Sequence, residues 1–592
     1  MNYINQFKSF LVQAKAMFGE IHKIDKRLAY LNLFTKSVLA ITPLVILYLT
    51  KRLIDLISSG NSSSHELIFI ISLFAGTQIV TTIISQFSDY TSTLFQQKVS
   101  DRFSVRIIQK ASRVDYTYFE QPEFHNTLHL AQQQALYRVG QLMPAINSLI
   151  SSGLSLVFLI VFFISIKAYF LLAFILLAIP ISVNKWIQGK RLSNLEFTLA
   201  PKEREANYFF QILTGIQWAK ENRSFQFGEA FGNRMKGLRE HIASLKKNIQ
   251  RAAMGKNILF DILEIVMLTA AIGYLSWQTM AKLMTLGVFV IYLQGFQRMQ
   301  SNSKSFFQSI LQLFQLRIFF QHLFDFFALP ETSDKEDYKE NFPETIQSLQ
   351  LQNISFTYPN AKAPVLHDIS VKAGAGQIIA IVGENGSGKS TLVKLLAKLY
   401  RLDAGRFDIN GISIENIKSS SFYEHSAFFF QDYEKYFIEA GQNIHFNVEK
   451  INDDESATKA ASEQSGANEF IQKLSAGYQT KLGSVFQGSE QLSGGQWQKL
   501  ALARIFYKEA KLVVLDEPSS ALDAFSELRL YEEIKKNNQD KIVILISHRL
   551  YNLKLADHIY VMEEGKIIED GTFNTLINQG GLFQQMYEKQ RI

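Results

Sequence analysis

The chain has 592 residues, which is more than one domain of ordinary size. With 47% hydrophobic and only 19% charged residues it is too apolar for a disordered protein, and the complete lack of cysteine excludes disulfides, thiolate metal sites and cysteine nucleophiles. The net charge of +7 is modest and the basic residues cluster between apolar runs, which indicates a cytoplasmic membrane face and argues against nucleic acid as a partner.

The N-terminal segment, residues 1–28, is not a secretory signal. Apolar side chains recur at helical spacing from Ile4 to Ile21, with Lys8, Lys15 and Lys23 between them. This pattern predicts an amphipathic helix at the surface of a membrane, and it equally fits an ordinary packed surface helix.

Long apolar runs predict a six-span, all-α transmembrane domain over residues 29–328, since a spanning helix needs about 20 such residues. The six runs are Leu31–Leu49, Leu67–Ile84, Ile146–Ile166, Ala168–Val183, Ile258–Trp277 and Leu283–Phe296. The third and fourth runs are separated only by Lys167 and predict a helical hairpin. An even number of spans places both ends of this region on the same side of the membrane.

Loop charge indicates which side that is. The stretches after the second and fourth spans are long, look helical and are rich in cations, from Lys98 to Arg138 and from Lys190 to Arg251, whereas the opposite loops are short and nearly free of them. By the positive-inside rule the long loops and both chain ends are cytoplasmic. We therefore predict a multi-pass protein whose spans continue as long cytoplasmic helices.

The composition changes at a charged linker, residues 329–344, which contains Asp334, Lys335 and Glu336. Beyond it, residues 345–592, short β-type runs alternate with helical ones: Ile378–Val382, Thr391–Leu399, Leu512–Leu515 and Ile542–Ile546. This alternation predicts an α/β domain with a largely parallel sheet. The fold class is thus a multidomain membrane protein, with a six-helix transmembrane domain followed by an α/β domain, which the motif described next identifies as a P-loop nucleotide-binding domain.

The segment after the first of these strands matches the phosphate-binding pattern G-x-x-x-x-G-K-[ST]. Its residues are Gly383, Glu384, Asn385, Gly386, Ser387, Gly388, Lys389 and Ser390, followed by Thr391. Glycines let backbone amides surround phosphates, and the helix that begins near Ser390 adds its positive end. Lys389 is expected to contact the β- and γ-phosphates of ATP, and Ser390 to offer its hydroxyl to Mg²⁺.

A second apolar strand ends in two carboxylates, Asp516 and Glu517. Asp516 stands where an acid that organises Mg²⁺ is expected. Glu517, one residue on, is expected to point to the other side of the chain and to act as the base toward the attacking water. A strand ending in Asp-Glu is by itself more often a solvated turn, and the phosphate loop is what favours the functional interpretation.

The pentapeptide Leu492-Ser493-Gly494-Gly495-Gln496 resembles the signature of ATP-binding cassette (ABC) ATPases. The resemblance implies roles for further residues in the expected order: Tyr358 as the aromatic that stacks on adenine, Gln431 as the glutamine that links Mg²⁺ and water to the membrane domain, Asp523 in the D-loop, and His548 as the switch histidine at the γ-phosphate. It covers nearly the whole chain and implies a half-size exporter.

In that family two chains share two ATP molecules, with the phosphate loop of one facing Ser493–Gln496 of the other. The motif set here is intact, which favours a homodimer over pairing with a related half. An intact Glu517 and His548 argue against an ATP-gated channel or regulator.

Cargo is predicted from shorter segments. Residues 483–491, which stand in place of a Val-Gly-Glu segment, and Trp497-Gln498-Lys499 are similar to exporters of lanthipeptides and other ribosomal peptides. We therefore predict export of a peptide from the cytoplasm across a bacterial plasma membrane, without a peptidase domain. The alternative is a multidrug or lipid exporter of the same build, and the sequence does not name the cargo.

Two further groups of residues are candidates for coupling and cargo contact. Residues 115–124 and 221–228 resemble coupling helices that touch the ATPase domains, although their aromatics would also serve to pack long helices. Asp261 and Glu264 lie three apart in the fifth span and share a helix face, where they fit a cargo site or a structural ion pair equally well.

Overall fold

The computed structural model describes residues 19, 22–59, 64–166, 169–331, 339–359, 361–446 and 455–591. They form two compact units. The helical unit comprises the residues up to Ser112 together with His125–Leu329, and the sheet unit comprises Arg113–Phe124 together with the chain from Pro330 onward. Most of the predicted N-terminal amphipathic helix, the predicted turn at Lys167 and the middle of the linker lie outside the described residues.

Within the described residues, the helical unit contains six long helices and one short one. The long helices are Lys26–Ser59, Ser64–Ala111, Pro122–Ile166, Tyr169–Thr214, Gly228–Met280 and Leu286–Phe327, which we call the first to the sixth long helix, and the short one is Ala219–Phe225. Each of the first five predicted spans falls within one of them, apart from the start of the fourth at Ala168. Four of the described helices contain a stretch that is long and apolar enough to cross a membrane.

The sixth predicted span was placed too early. Its predicted first residue, Leu283, lies in a turn in which Lys282 has a positive φ of 56°, and it is well exposed. The helix begins at Leu286 because the Thr285 side chain accepts a hydrogen bond from the Val288 amide and so caps it. Apolar composition alone does not reveal that cap.

Polar side chains inside the helical unit bind one another. Asn32 donates from Nδ2 to Asn147 Oδ1 (2.8 Å), Asn147 donates to Ser92 Oγ (3.1 Å), and Ser92 donates back to Asn32 Oδ1 (2.8 Å). The closed ring leaves few unsatisfied polar atoms and ties the first, second and third long helices together at one level. Apolar packing continues through Leu47 and Phe163.

The described residues of the sheet unit form two sheets. One is antiparallel with the order β2-β1-β4-β5, from β1 (Ser348–Phe356), β2 (Leu366–Gly374), β4 (Ala404–Ile409) and β5 (Ile412–Ser413). The other has the order β10-β9-β3-β8-β7-β6, from β3 (Ile378–Gly383), β6 (Ser426–Phe429), β7 (Leu512–Asp516), β8 (Ile542–Ile546), β9 (His558–Glu563) and β10 (Lys566–Gly571). Only β10 is antiparallel to its neighbour in the larger sheet.

Helices accompany the larger sheet, whose central strands are buried on both faces, and those between Gln442 and Tyr507 pack together in an apolar cluster of their own. The helices are Lys389–Leu396, Ser419–His425, Gln442–His445, Glu455–Gln464, Asn468–Ile471, Gly494–Tyr507, Ala524–Lys536, Phe573–Ile577 and Leu582–Arg591. In the described part of this unit there are also four 3₁₀ turns, Tyr116–Glu120, Ile414–Asn416, Gly477–Gln479 and Leu550–Leu555. The continuous apolar strands are therefore explained by burial on both sides.

The topology decides where chemistry can occur. β3, β8, β7 and β6 are neighbouring parallel strands, so their carboxyl ends meet at one edge of the sheet. The residues that follow them are the phosphate loop, His548, Asp516 with Glu517, and Gln431. Residues separated by up to 165 positions in sequence are thus brought to one edge.

Candidate nucleotide-binding site

The loop between β3 and the next helix has the backbone that its glycines allow. Gly386 and Gly388 have φ values of 84° and 102°, which side chains rarely permit. A Cβ on Gly388 would also lie 2.6 Å from Leu366 Cδ2, so this position is restricted to glycine twice over. The helix then begins at Lys389, which leaves its first amides without intrahelical partners and directed toward an anion site.

Lys389 is the buried cation of this loop. Its Nζ donates to the carbonyls of Gly383 (2.9 Å) and Glu384 (2.8 Å) and to Ser387 Oγ (3.3 Å). Burial lowers the pKa of Lys389, while the negative charges of Glu517 and Asp516 oppose that change. A phosphate group would replace neutral carbonyls as the partner of this ammonium group, which favours binding of a polyanion.

Asp516 and Glu517 end β7 in different environments. Asp516 is almost fully buried, and burial together with the charge of Glu517 raises its pKa to about 6. Glu517 has a positive φ of 51°, a conformation that costs a side-chain residue energy and that concentrates at functional sites. That turn lets two consecutive carboxylates serve different purposes.

Glu517 is held on both sides by residues from the neighbouring strands. His548 Nε2 lies 2.8 Å from its Oε1, and Gln431 Nε2 donates to its Oε2 at 3.0 Å. Burial and the charge of Lys389 lower the pKa of His548, against the effect of Glu517, so the imidazole is neutral at pH 7 and can donate through Nε2–H. The two contacts fix the carboxylate of Glu517 in orientation, as a general base requires.

Tyr358 follows β1 and lies beside the helix of the phosphate loop. Its hydroxyl is 3.0 Å from Thr391 Oγ1, and its ring meets Tyr400 edge to face with centroids 5.4 Å apart. Lys394 Nζ lies 5.5 Å from the ring centroid. An electron-rich ring fixed next to the phosphate loop can stack on a purine base.

The signature pentapeptide forms the start of the helix Gly494–Tyr507. Ser493 caps the helix: Gln496 N donates to its Oγ (3.3 Å), while Ser493 N donates to Gln496 Oε1 (2.8 Å). Gly495 packs tightly, because a Cβ there would lie 2.9 Å from Ala521 O, but a Cβ on Gly494 would meet no atom within 4 Å. The open side of this helix start can receive a group from outside the chain.

Sequence analysis missed Gln498 as a structural part of the site. It is fully buried, donates from Nε2 to Pro518 O (2.8 Å) and accepts from the Ala521 amide (2.8 Å). Gln498 therefore locks the signature helix to the D-loop, where Asp523 caps the helix Ala524–Lys536 by accepting from Ser526 N at 2.9 Å. Its position two residues after the signature was the available signal.

Glu527 was missed as well. Its carboxylate is 2% exposed and is bound by four side chains: Ser519 (2.5 Å), Arg549 (2.5 Å), Tyr551 (2.9 Å) and Asn552 (2.7 Å). It links the D-loop helix to the chain directly after His548. No short pattern marks it, since its partners come from two segments of the sequence.

One of the two segments predicted to couple the domains belongs to the sheet unit. The 3₁₀ turn Tyr116–Glu120 is capped by Asp115 and packs there, with Glu120 bound to Lys394 Nζ at 3.0 Å and Tyr116 against Tyr400. Burial opposes ionisation of Glu120, but hydrogen bonds from Tyr400 and Lys394 lower its pKa. The second segment forms the helix Ala219–Phe225 in the helical unit, and its coupling role stays a prediction.

The two membrane acids differ in structure. Glu264 is buried and paired with Lys304 (3.1 Å), and Gln300 also donates to it. This is the structural alternative among the two that the sequence left open. Asp261 instead lines a cavity and has no hydrogen bond or ion pair to any residue that the structure describes.

Comparison with known proteins extends over the whole chain. The chain is 31% identical to the subtilin transport ATP-binding protein SpaT of Bacillus subtilis, over 98% of the chain and 94% of that protein. It is 29% identical to the nisin transport ATP-binding protein NisT of Lactococcus lactis subsp. lactis (99% and 97%), and 26% identical to the ATP-dependent lipid A-core flippase 2 of Colwellia psychrerythraea (96% of each).

The fold comparison agrees. A bacterial Atm1-family ABC exporter with ATP bound superposes with a TM-score of 0.82, over 96% of this chain and 99% of that one, at 19% identity. A family model described as ABC transporter matches residues 366–520, which include the phosphate loop, the signature and the Asp-Glu pair. A membrane protein with this site hydrolyses ATP to drive transport, and the chain belongs to the ABC transporter family.

Proposed function

We propose that the chain is an exporter of lanthipeptide-type peptides in a bacterial plasma membrane, which moves its cargo outward by alternating access. Subtilin and nisin are lanthipeptides. The observation that carries the proposal is that the likeness to their transport proteins spans both units at 31% and 29% identity, above the 26% of the lipid A-core flippase that also spans both. The membrane helices are the part of an exporter that contacts cargo. A likeness confined to the ATPase half would therefore carry no information about the cargo.

The active form in this proposal is a homodimer with two shared ATP sites. Exporters of this family generally work as dimers. Gly494 faces open space and Ser493 is exposed, so the signature helix start is free to meet a γ-phosphate that the phosphate loop of a second chain holds. Two intact chains would then make two equal sites.

Mg²⁺ is proposed as the cofactor, and the residues present fit it. Ser390 and Gln431 would hold the ion, with Asp516 nearby, and it would neutralise charge on the β- and γ-phosphates. Among the described residues no cluster of three His, Cys, Asp or Glu side chains could hold a metal alone. That fits Mg²⁺, which commonly binds through one or two protein oxygens and substrate phosphates.

The chain's own residues would then divide the work. Lys389 would bind the phosphates and Tyr358 would stack on the adenine ring. Glu517 would take a proton from the attacking water, while Gln431 and His548 fix the orientation of the Glu517 carboxylate. Loss of the γ-phosphate would remove the ligand that joins the two chains. The 3₁₀ turn Tyr116–Glu120 would carry the resulting motion toward the second and third long helices.

The test uses the purified full chain in liposomes. We expect nisin, as a representative lanthipeptide, to stimulate ATP hydrolysis and to be taken up by vesicles whose ATPase face is outward. Uptake should require ATP, and the Glu517→Gln chain serves as the matched control because it lacks only the base.

The alternative export function makes the opposite forecast. Stimulation by lipid A or by hydrophobic drugs, with none by nisin or subtilin, would replace the peptide assignment by a lipid or multidrug one. Binding of ATP that changes ion conductance with no turnover would instead support a channel.

A further inference from the structure

A cavity of about 640 Å³ lies in the helical unit, between the fourth, fifth and sixth long helices. Its walls combine polar and apolar side chains, among them Gln188, Asn257, Asp261, Phe307, Gln308 and Leu311. This volume lies within the usual 300–1,000 Å³ of small-ligand pockets. It accommodates a segment of a peptide and is too small for a large one.

The amide side chains of the cavity are partly organised by one another. Asn257 Oδ1 accepts hydrogen bonds from Asn184 Nδ2 (3.2 Å) and Gln188 Nε2 (3.1 Å). Both donors therefore point at Asn257, which leaves the carbonyl oxygen of Gln188 without a partner among the described residues. Gln308 on the opposite wall likewise makes no hydrogen bond within the described part of the chain. The cavity thus offers acceptors, and none of its lining residues that the structure describes is cationic.

Asp261 adds a negative charge to these acceptors. Glu264, three residues later, is neutralised by Lys304, whereas Asp261 has no cation among its described neighbours. An ionised carboxylate in a membrane helix is costly unless water or a cation reaches it. Glu264 is thus buried and paired, whereas Asp261 is exposed and open to a partner that the described residues do not supply.

Asp261 lies at a depth in the membrane that cargo can reach from the cytoplasm. Asp261 precedes the end of the fifth long helix at Met280 by 19 residues, or about 28 Å at 1.5 Å per residue. Met280 is at the outer end by the loop charges, and the apolar core of a bilayer is about 30 Å thick. Asp261 therefore lies near the cytoplasmic boundary of the core.

We propose that this cavity binds a primary ammonium group of the peptide cargo, a lysine side chain or the N-terminal amine, with Asp261 as its counter-ion. An ammonium group has three donors, which the carboxylate and the amide oxygens of Gln188 and Gln308 can accept. Phe307 and Leu311 would contact the methylene stem. The inference rests on the proposed function for the identity of the cargo, but the ammonium site itself does not.

The test exploits the lack of cysteine, because Leu192→Cys places one reactive thiol in the cavity wall. The rate of maleimide labelling is measured in phosphatidylcholine liposomes with decylamine, decanol, nisin or nisin acetylated on its amines. We expect decylamine and nisin to slow labelling, and decanol and acetylated nisin to do so only at about tenfold higher concentration.

Variants assign the effect to Asp261. Asp261→Asn should raise the protecting concentrations of decylamine and nisin about tenfold and leave those of decanol and acetylated nisin unchanged. Asp261→Glu should restore protection, which guards against a misfolded variant. Glu240→Gln, an exposed acid on the same helix, should behave as the parent.

Equal protection by decylamine in the parent and in Asp261→Asn would overturn the ammonium site. Protection by decylamine with none by nisin would keep the site and refute the peptide assignment, along with the proposed function. The last measurement adds phosphatidylethanolamine to the liposomes. If this lipid slows labelling in the parent but not in Asp261→Asn, and nisin does not compete with it, the bound ammonium group is that of a lipid headgroup and the assignment to cargo is wrong.

Discussion

Asp516→Asn should stabilise the nucleotide-free protein while abolishing its ATPase activity. Burial and the charge of Glu517 raise the pKa of Asp516 from 3.8 to about 6, so ionisation of this group destabilises the folded state. The structure records no hydrogen bond from a described residue to its carboxylate, so the amide loses no such partner. The variant therefore measures how much the ionised Asp516 side chain lowers the free energy of unfolding.

The magnitude and its pH dependence follow from the two pKa values. Because the folded-state pKa is the higher one, stability from this group is present at low pH and is lost as the pH rises from 3.8 to 6. Above pH 6 the loss amounts to at most about 3 kcal/mol, and at pH 5 to about half of that. Asp516→Asn should recover it, which is worth roughly 5–10 °C in the melting temperature of a domain of this size.

The assay is thermal unfolding of the full chain in detergent without nucleotide or Mg²⁺, at pH 8 and pH 5. Asp540→Asn, which changes an exposed aspartate, should leave the melting temperature unaltered at both. A melting temperature for Asp516→Asn that equals or falls below the parent value at pH 8 would refute the reasoning. With Mg²⁺ and ATP the parent should gain stability and the variant should gain less, since the charge then meets its ligand.

Four further outcomes are expected in the sheet unit. Glu517→Gln keeps the shape of the side chain and removes the base, so turnover should fall about 10²–10⁴-fold with ATP binding retained; near-normal turnover by the purified variant would contradict the role of Glu517. Lys389→Ala should weaken the affinity for ATP. Mixing inactive Lys389→Ala chains with inactive Ser493→Arg chains should restore some turnover, because one of the two sites in a mixed dimer holds neither change. If mixed dimers are shown to form and no turnover returns, the sites are not shared between chains. Glu527→Gln should lower the free energy of unfolding by about 1–3 kcal/mol, measured by denaturant titration, because a buried carboxylate with four donors loses its charge; an unchanged midpoint would show that these bonds do not hold the D-loop helix.

The nucleotide-binding half was predictable because its chemistry depends on local patterns. Strand β8 has its predicted bounds, Ile542–Ile546, and β3 and β7 each extend only one residue further than predicted. A buried parallel strand reads as an unbroken apolar run, and a phosphate loop needs glycines at fixed spacing. The edge where Gln431, Glu517 and His548 meet then follows from strand order.

Pairings between distant residues were not predictable in the same way. The spacing of Asp261 and Glu264 placed both on one helix face, but only the structure separates them, because Lys304 comes from another helix forty residues later. Glu527 escaped notice for the same reason, since its partners lie both before and after it in the chain. Periodicity describes one element and is silent about which neighbour it meets.

The contact between Glu120 and Lys394 has a consequence for engineering this class of protein. The helix Lys389–Leu396 starts at the phosphate loop, and Lys394 stands only five residues later, about 7.5 Å along a rigid rod. One eight-residue helix thus holds the phosphate-binding Lys389 at its start and, near its end, Lys394, which binds Glu120 of residues 113–124. A chimera that joins this sheet unit to the helical unit of another exporter should therefore be joined after Ser112, before His125 and at Leu329. Glu120 and Lys394 then come from the same parent protein.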